Sequence, residues 1–271
     1  MHSAPMSGVT VRDVAEENLD DAFRVCSSGR LDDALQMQGI QLRRRWIRGM
    51  LAATGPCVKI AYLEGRPIAQ LLFYPETSVP YLPQPRAGVI LLRCVYNPFK
   101  EAQGKGASTA LIKNLIEEGK HGPRCLKGGE CSFIASEAFN TGEGVPMERL
   151  YKANGFKKMD GEMVHEIAGK YTPPSGLVYT KSAGDEGKAF VIFNPTCEYS
   201  YPAALRVKDL IEGLYPSMSV VLVNQWEEPL ESIRLANQEL TVNGIQINGS
   251  LHQREKLVVE IRKAVEGASQ S

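Results

Sequence analysis

VILLRCVYNPFKEAQGKGASTALIKNLIEEGK, Val89 to Lys120, is the stretch whose reading decides the fold. Val89, Ile90, Leu91 and Leu92 form a continuous apolar run suited to a central strand, and Asn97 with Pro98 breaks it. Gln103, Gly104, Lys105, Gly106, Ala107 and Ser108 follow as a turn. Small residues there leave the unpaired amides of a helix's first turn free to point at an anion. Ala107, Leu111, Ile112, Leu115 and Ile116 then share one helical face, with Lys113, Asn114, Glu117 and Glu118 mostly elsewhere. A strand, a glycine-rich turn and an amphipathic helix suit a phosphate-bearing cofactor, although a plain turn has the same composition. The GxxxxGK[ST] phosphate loop is absent, and the glycine spacing is not the GxGxxG of a dinucleotide fold.

What remains is a QxxGxG/A-type turn, in which Ser108 stands at the final small position. It resembles the corresponding turn of the GNAT family of N-acetyltransferases, which cradles the pyrophosphate of acetyl-coenzyme A. Pro98 to Gln103 is a longer link than is usual in that family. A second match lies downstream in MERLYKANGFKKMD, Met147 to Asp160. It is similar to the family's helix-then-strand segment, in which a Tyr ahead of a Gly-Phe pair faces the cofactor sulfur. Tyr151, Gly155 and Phe156 fit. Without the family, Leu150 and Tyr151 read as core residues of a short helix, Gly155 as its stop and Phe156 as the start of a strand.

The flanking chain is consistent with this fold. Val9–Val14 reads as a strand, Leu19–Cys26 and Leu31–Leu51 as helices, Cys57–Leu63 and Pro67–Phe73 as a hairpin, and Cys131–Ser136 and Met163–Ala168 as further strands. Arg43, Arg44 and Arg45 inside the second helix read as a solvated face. The expected class is α/β (α+β): a GNAT acyl-CoA N-acyltransferase fold over 1–170 and a smaller thioredoxin-like α/β domain over 171–271.

Lys plus Arg and Asp plus Glu both total 31, which gives no electrostatic pull toward nucleic acid or an anionic membrane. No apolar run is long enough to cross a bilayer, and the first residues carry no hydrophobic signal region, so a cytoplasmic location is expected. Cys26, Cys57, Cys94, Cys125, Cys131 and Cys197 form no framework of close pairs and read mostly as reduced core residues. Cys125 and Cys131 lack the second pair that a tetrahedral metal site needs, so no metal is expected.

YTPPSG, Tyr171 to Gly176, interrupts helix and strand and reads as a linker. After it come a strand at Lys188–Phe193, a helix at Tyr201–Leu214, a strand at Ser217–Asn224, a helix at Pro229–Ala236, a hairpin with Asn243-Gly244 at its turn, and a helix at Glu255–Val265. That βαβαββα order resembles thioredoxin, and with the preceding domain it resembles the bacterial YoaP-like proteins. Cys197, in NPTCEYS, occupies the place of a thioredoxin nucleophile, with Ser200 where the second thiol would be. A helix N-terminus should make that thiol acidic. Cys197 stays open between a monothiol or substrate-handling role and simple packing.

The resemblance implies direct acetyl transfer from acetyl-coenzyme A to a small amine or thiol acceptor. It implies a main-chain oxyanion donor at Val95, beside Cys94 and Tyr96, and Tyr151 as general acid to the departing thiolate. An alkylammonium acceptor needs a base. Glu137, Glu76 and His165 are candidates, with Glu137 placed first, and Asn140 lies in an insertion that could contact the acceptor. Two alternatives stand beside this reading: a monothiol redox or thiol-carrier protein using Cys197 with a coenzyme A-binding domain, and a non-catalytic acyl-coenzyme A sensor. The sequence does not give the oligomeric state.

Overall fold

The computed structural model describes residues 8–138 and 145–268. By internal contacts the chain divides into two compact units, one of Met1–Leu31, Arg44–Val79 and Gln84–Pro174, the other of Asp32–Arg43, Pro80–Pro83 and Ser175–Ser271. Asp32–Arg43 and Pro80–Pro83 come from within the expected 1–170 domain.

The first unit is built on a mixed sheet. Strands β1 (Val9–Asp13), β2 (Val58–Leu63), β3 (Arg66–Pro75), β4 (Val89–Tyr96), β5 (Phe133–Ser136), β6 (Lys157–Met159) and β7 (Glu162–Glu166) lie in the order β1-β2-β3-β4-β5-β7-β6. Neighbours are antiparallel except β4 and β5, which are parallel. The β2–β3 hairpin turns at Glu64-Gly65, both at positive φ (53° and 76°), where glycine is the least strained residue. The apolar run at Val89–Leu92 is buried, and β4 continues beyond it to Tyr96 with half-buried side chains.

Helices α1 (Leu19–Cys26), α2 (Ala34–Ala53), α3 (Ala107–Lys120) and α4 (Met147–Ala153) complete the N-terminal part. The periodicity of α3 does what the sequence predicts. Leu111, Ile112, Leu115 and Ile116 are buried against Leu71, Phe73, Ile90, Leu92 and Ile134, and Tyr151 and Phe156 join the same core. Each such aliphatic side chain contributes about 1.5–3 kcal/mol. Trp46 of α2 meets Tyr74 of β3 edge to face, with centroids 5.5 Å apart.

The arginine run is not a solvated face. Arg43 is 2% exposed, Arg44 pairs with Asp20 at 2.6 Å and stacks over Phe23, and of the three only Arg45 is exposed. The run has three positions separated by about 100° steps, so its members look in three directions.

In the second unit β8 (Lys188–Phe193), β9 (Ser219–Asn224), β10 (Leu240–Val242) and β11 (Ile245–Gln246) lie in the order β11-β10-β8-β9. β8 and β9 are parallel, while β10 is antiparallel to both β8 and β11. Helices α5 (Ser200–Leu214), α6 (Pro229–Arg234) and α7 (Arg254–Ala268) complete it. The predicted hairpin turn is present, with Asn243 and Gly244 both at positive φ (51° and 73°). Ile211, Leu257 and Ile261 pack on Val191 and Val242 in its core.

Candidate functional site: the gap between β4 and β5 and the turn into α3

β4 and β5 pair only from Val89–Leu91 to Phe133–Ala135. Beyond that point β4 keeps β3 on one edge, and the register to β3 jumps from Leu72↔Cys94 to Phe73↔Leu92. Arg93 is therefore the extra residue of a bulge, which bends the strand where it leaves β5. Alternate amides of the segment through Val95 turn toward the opened edge. Val95 packs against the α3 core, and Cys94 is half-buried.

The link out of β4 is ordered by local bonds. Asn97 Oδ1 accepts from the Phe99 N–H at 3.1 Å, Asn97 Nδ2 donates to the Ala102 carbonyl at 3.3 Å, and Lys100–Ala102 forms a 3-10 turn. This turn takes up the extra length between Pro98 and Gln103. Gln103, Gly104 and Lys105 are exposed, Gly106 and Ser108 are half-buried, and Ala107 anchors the helix in the core. Gly104 and Gly106 have φ of 72° and 77°, and a Cβ on Gly104 would meet no atom within 4 Å. Gly106 is the N-cap of α3, and no side chain caps it. The first-turn amides, which have no intrahelical acceptor, therefore face outward from a bare backbone at the positive end of a 14-residue helix. A helix start of this kind has the chemistry to accept an anion.

Tyr151 reaches the same face of the sheet from α4. Gly155, at φ 85°, ends that helix and folds the chain back, so that the Phe156 N–H donates to the Tyr151 carbonyl at 3.1 Å. The two rings stack with centroids 5.3 Å apart. Tyr151 is fully buried, and its hydroxyl has no hydrogen-bond partner. Burial pushes its pKa well up; the nearby Ser136 hydroxyl and Arg93 charge oppose this, while Cys94 adds to it. Ser136 stands close enough to influence the phenol without the geometry of a hydrogen bond, and its own Oγ is also buried and unpartnered. Sequence reading missed Ser136, because a lone serine at a strand end carries no pattern.

The base candidates separate. Glu137, next after β5, is 71% exposed and sits 3.7 Å from Arg93 Nη1. Glu76 is buried and bound to Arg86 at 2.6 Å, and Arg86 also holds Glu162 at 2.7 Å. Glu76 is thus committed to a structural ion pair. His165 packs on Phe156, and its pKa is lowered by burial and by Lys120, although the Gly155 backbone partly offsets both. Lys120 ends α3, roughly 20 Å along the helix from the glycine turn by the 1.5 Å rise. Asn140 lies outside the described residues. A cavity of ≈380 Å³ at that far end is lined by Asp13, Lys59, Glu118 and Arg124 among others, and these charges are already paired with one another.

In the second unit, Cys197 precedes α5 in a turn closed by its own bonds. The Cys197 N–H donates to the Asn194 carbonyl at 3.2 Å, and the Ser200 N–H donates to the Cys197 carbonyl at 3.1 Å. The residue is exposed at the surface, while its thiol is crowded by surrounding protein. That dehydration raises its pKa against the pull of the Tyr199 and Ser200 amides and of Arg43. The expectation of an acidic thiol is therefore corrected: the helix terminus is outweighed by desolvation. Cys125 and Cys131 are buried, and their thiols are pushed up to about 12. Among the described residues no helix is long and apolar enough to cross a membrane.

No model of a known family and no curated protein matches the chain. Solved structures do. An N-acetyltransferase from Staphylococcus aureus Mu50 is 17% identical over 59% of this chain and 99% of its own, with a TM-score of 0.42. YncA, a putative acetyltransferase from Salmonella typhimurium solved with acetyl-CoA, is 16% identical over 62% of this chain and 99% of its own, with a TM-score of 0.39. A GNAT-family acetyltransferase from Brucella melitensis in complex with acetyl-CoA is 13% identical over 62% of this chain and 93% of its own, with a TM-score of 0.40.

Proposed function

We propose that the first unit is a GNAT-type N-acetyltransferase that uses acetyl-coenzyme A and acts on a small amine, and that the second is a YoaP-like domain of thioredoxin-like topology. The observation that carries the reading is the buried, unpartnered hydroxyl of Tyr151 on the face of the sheet where β4 leaves β5. The helix opened by the left-handed Gly106 packs on that same face. Buried hydroxyls are normally bonded, so an orphan at such a gap marks a place for a reacting group. The thioredoxin-like assignment is supported by a parallel β8/β9 pair flanked by an antiparallel β10 and β11, with helices between in the order βαβαββα.

Acetyl-coenzyme A supplies an activated acetyl thioester when bound. The amides of Gly104 and of Gly106 to Ser108 would hold its pyrophosphate, the Lys105 N–H being donated to the Ala102 carbonyl at 3.3 Å, with the Gln103 and Lys105 side chains at the rim. In the gap the Val95 amide, beside Cys94, would donate to the carbonyl oxygen as charge develops there. Tyr151 stays protonated at neutral pH and would protonate the departing sulfur. A pKa above that of a free thiol does not forbid this transfer, because burial raises thiols as well: Cys125 and Cys131 reach about 12 in this protein. Glu137, exposed beside Arg93, would take the acceptor's proton through water.

The test is calorimetric titration of acetyl-coenzyme A and of coenzyme A into wild type and Gly106→Trp, with folding followed by circular dichroism. Wild type is expected to bind both, and folded Gly106→Trp neither. Folded wild type that binds neither ligand would overturn the reading.

A further inference from the structure

Ser136 closes β5 on the side that faces the α3–α4 core. Its cross-strand partner is Met163, which is buried in that core, and Ile134, two residues earlier on the same face, is buried there too. A serine so placed has apolar neighbours and a hydroxyl that needs a partner. It is 3% exposed and its Oγ makes no hydrogen bond. A buried hydroxyl left without a partner is destabilising. The second orphaned hydroxyl of this region, that of Tyr151, stands beside it. Both hydroxyls are buried in one core without a partner, and donor–acceptor geometry at reacting sites tightens as reaction begins.

Resting on the acetyltransferase reading above, we propose that Ser136 is a positioning residue for Tyr151. Ser136 Oγ–H donates to Tyr151 Oη, which aims the phenol's own O–H into the β4–β5 gap and supports the oxygen as it gives up its proton. In the transfer, a bond forms between the acceptor nitrogen and the acetyl carbon, and the carbon–sulfur bond breaks with its electron pair on sulfur. Sulfur takes the proton of Tyr151 Oη, the acceptor nitrogen gives one proton through water to Glu137 and on to solvent, and Tyr151 recovers one from solvent. Ser136 keeps its proton throughout.

The test compares wild type, Ser136→Ala, Ser136→Thr, Tyr151→Phe and the double variant Ser136→Ala/Tyr151→Phe, with hydroxylamine as acceptor and release of the coenzyme A thiol as readout. Acetyl-coenzyme A affinity and thermal unfolding are measured alongside. Ser136→Ala should lower kcat about ten- to hundredfold, the worth of one hydrogen bond to a charged oxygen. KM and affinity for acetyl-coenzyme A should stay within about twofold. Ser136→Thr should recover most of the rate, and Ser136→Ala should cost nothing further in the Tyr151→Phe background. An equal loss in both backgrounds, or an unchanged kcat, overturns the role of Ser136 while leaving the acetyltransferase reading in place. Folded wild type that fails to bind acetyl-coenzyme A, or binds it without turnover, overturns the catalytic reading and this role together.

Discussion

The turn from β4 into α3 and the turn from β8 into α5 both lead from a strand through a loop into a helix, yet they leave the amides at the helix start in different states. The first is opened by two left-handed glycines and ends at an uncapped helix. The second also enters its helix without a side-chain cap, but little is left bare: the Ser200 N–H donates to the Cys197 carbonyl, Pro202 has no N–H, and side chains tie down the rest of the turn. Asn194 Oδ1 accepts from the Thr196 N–H at 3.0 Å, Ser200 Oγ accepts from the Asn194 N–H at 2.9 Å, and Gln36 Nε2 donates to the Glu198 carbonyl at 3.3 Å. A Cβ on Gly39 would fall 1.9 Å from that same carbonyl. Amides already satisfied by the protein cannot take an anion, so a helix N-terminus after a strand becomes a binding site only where the local sequence leaves it bare.

The largest effect should come from opening the closed turn. The side chains of Arg43 and Glu198 are 3% and 1% exposed and 2.7 Å apart. Arg43→Met leaves a buried carboxylate without its charge partner and should cost about 3–5 kcal/mol. The measurement is a lowered unfolding midpoint in urea, with Arg43→Met/Glu198→Gln recovering part of it. An unchanged midpoint would mean that the turn holds without the pair. Closing the open turn should have the next largest effect. Gly106→Asp adds a carboxylate at a position whose left-handed backbone Asp tolerates better than most residues. Coenzyme A affinity should fall about hundredfold, or about 2.8 kcal/mol, with helix content unchanged. Retained affinity would remove the anion cradle from α3.

Much of this contrast is written in local sequence. GKGAS announces positive φ and a helix start, ANGF the end of α4 and the return of the chain under Tyr151, and NG the β10–β11 hairpin. Features that depend on distant neighbours are not. Arg43 reads as part of a charge run because its partner is 155 residues away, and nothing near it predicts burial. The bulge at Arg93 carries no glycine or proline to mark it. Ser136 gains its interest only from Tyr151, which folding brings beside it. The acidity expected of Cys197 counted the helix dipole and omitted the protein packed around the thiol. Periodicity and turn chemistry are short-range properties, whereas burial, and with it electrostatics, is set by the whole fold.

A smaller effect tests whether the closed turn stabilises a thiolate. With its pKa raised, Cys197 is protonated at neutral pH. Its alkylation by iodoacetamide should still be rising with pH beyond the ordinary thiol pKa of about 8.5, because the thiolate is the nucleophile. A rate that levels off below pH 8 would show that the amides and Arg43 prevail after all, and would revive the monothiol reading.

The smallest effect belongs to His165, and its sign follows from linkage. Burial is the first cause of its lowered pKa, and Lys120 adds to it. The unfolded chain, with His near its ordinary pKa of about 6.5, therefore binds the proton more readily than the folded protein. The stability this histidine contributes is fully present above about pH 6.5 and is lost as pH falls toward the folded-state value below it. His165→Leu should flatten the fall in unfolding free energy between about pH 6.5 and 5, a window above the main titration of most carboxylates, while acetyl transfer at neutral pH stays unchanged. An activity loss that tracks this titration would instead return His165 to the list of bases, and would require an acceptor path that reaches it from the glycine turn at the other end of α3.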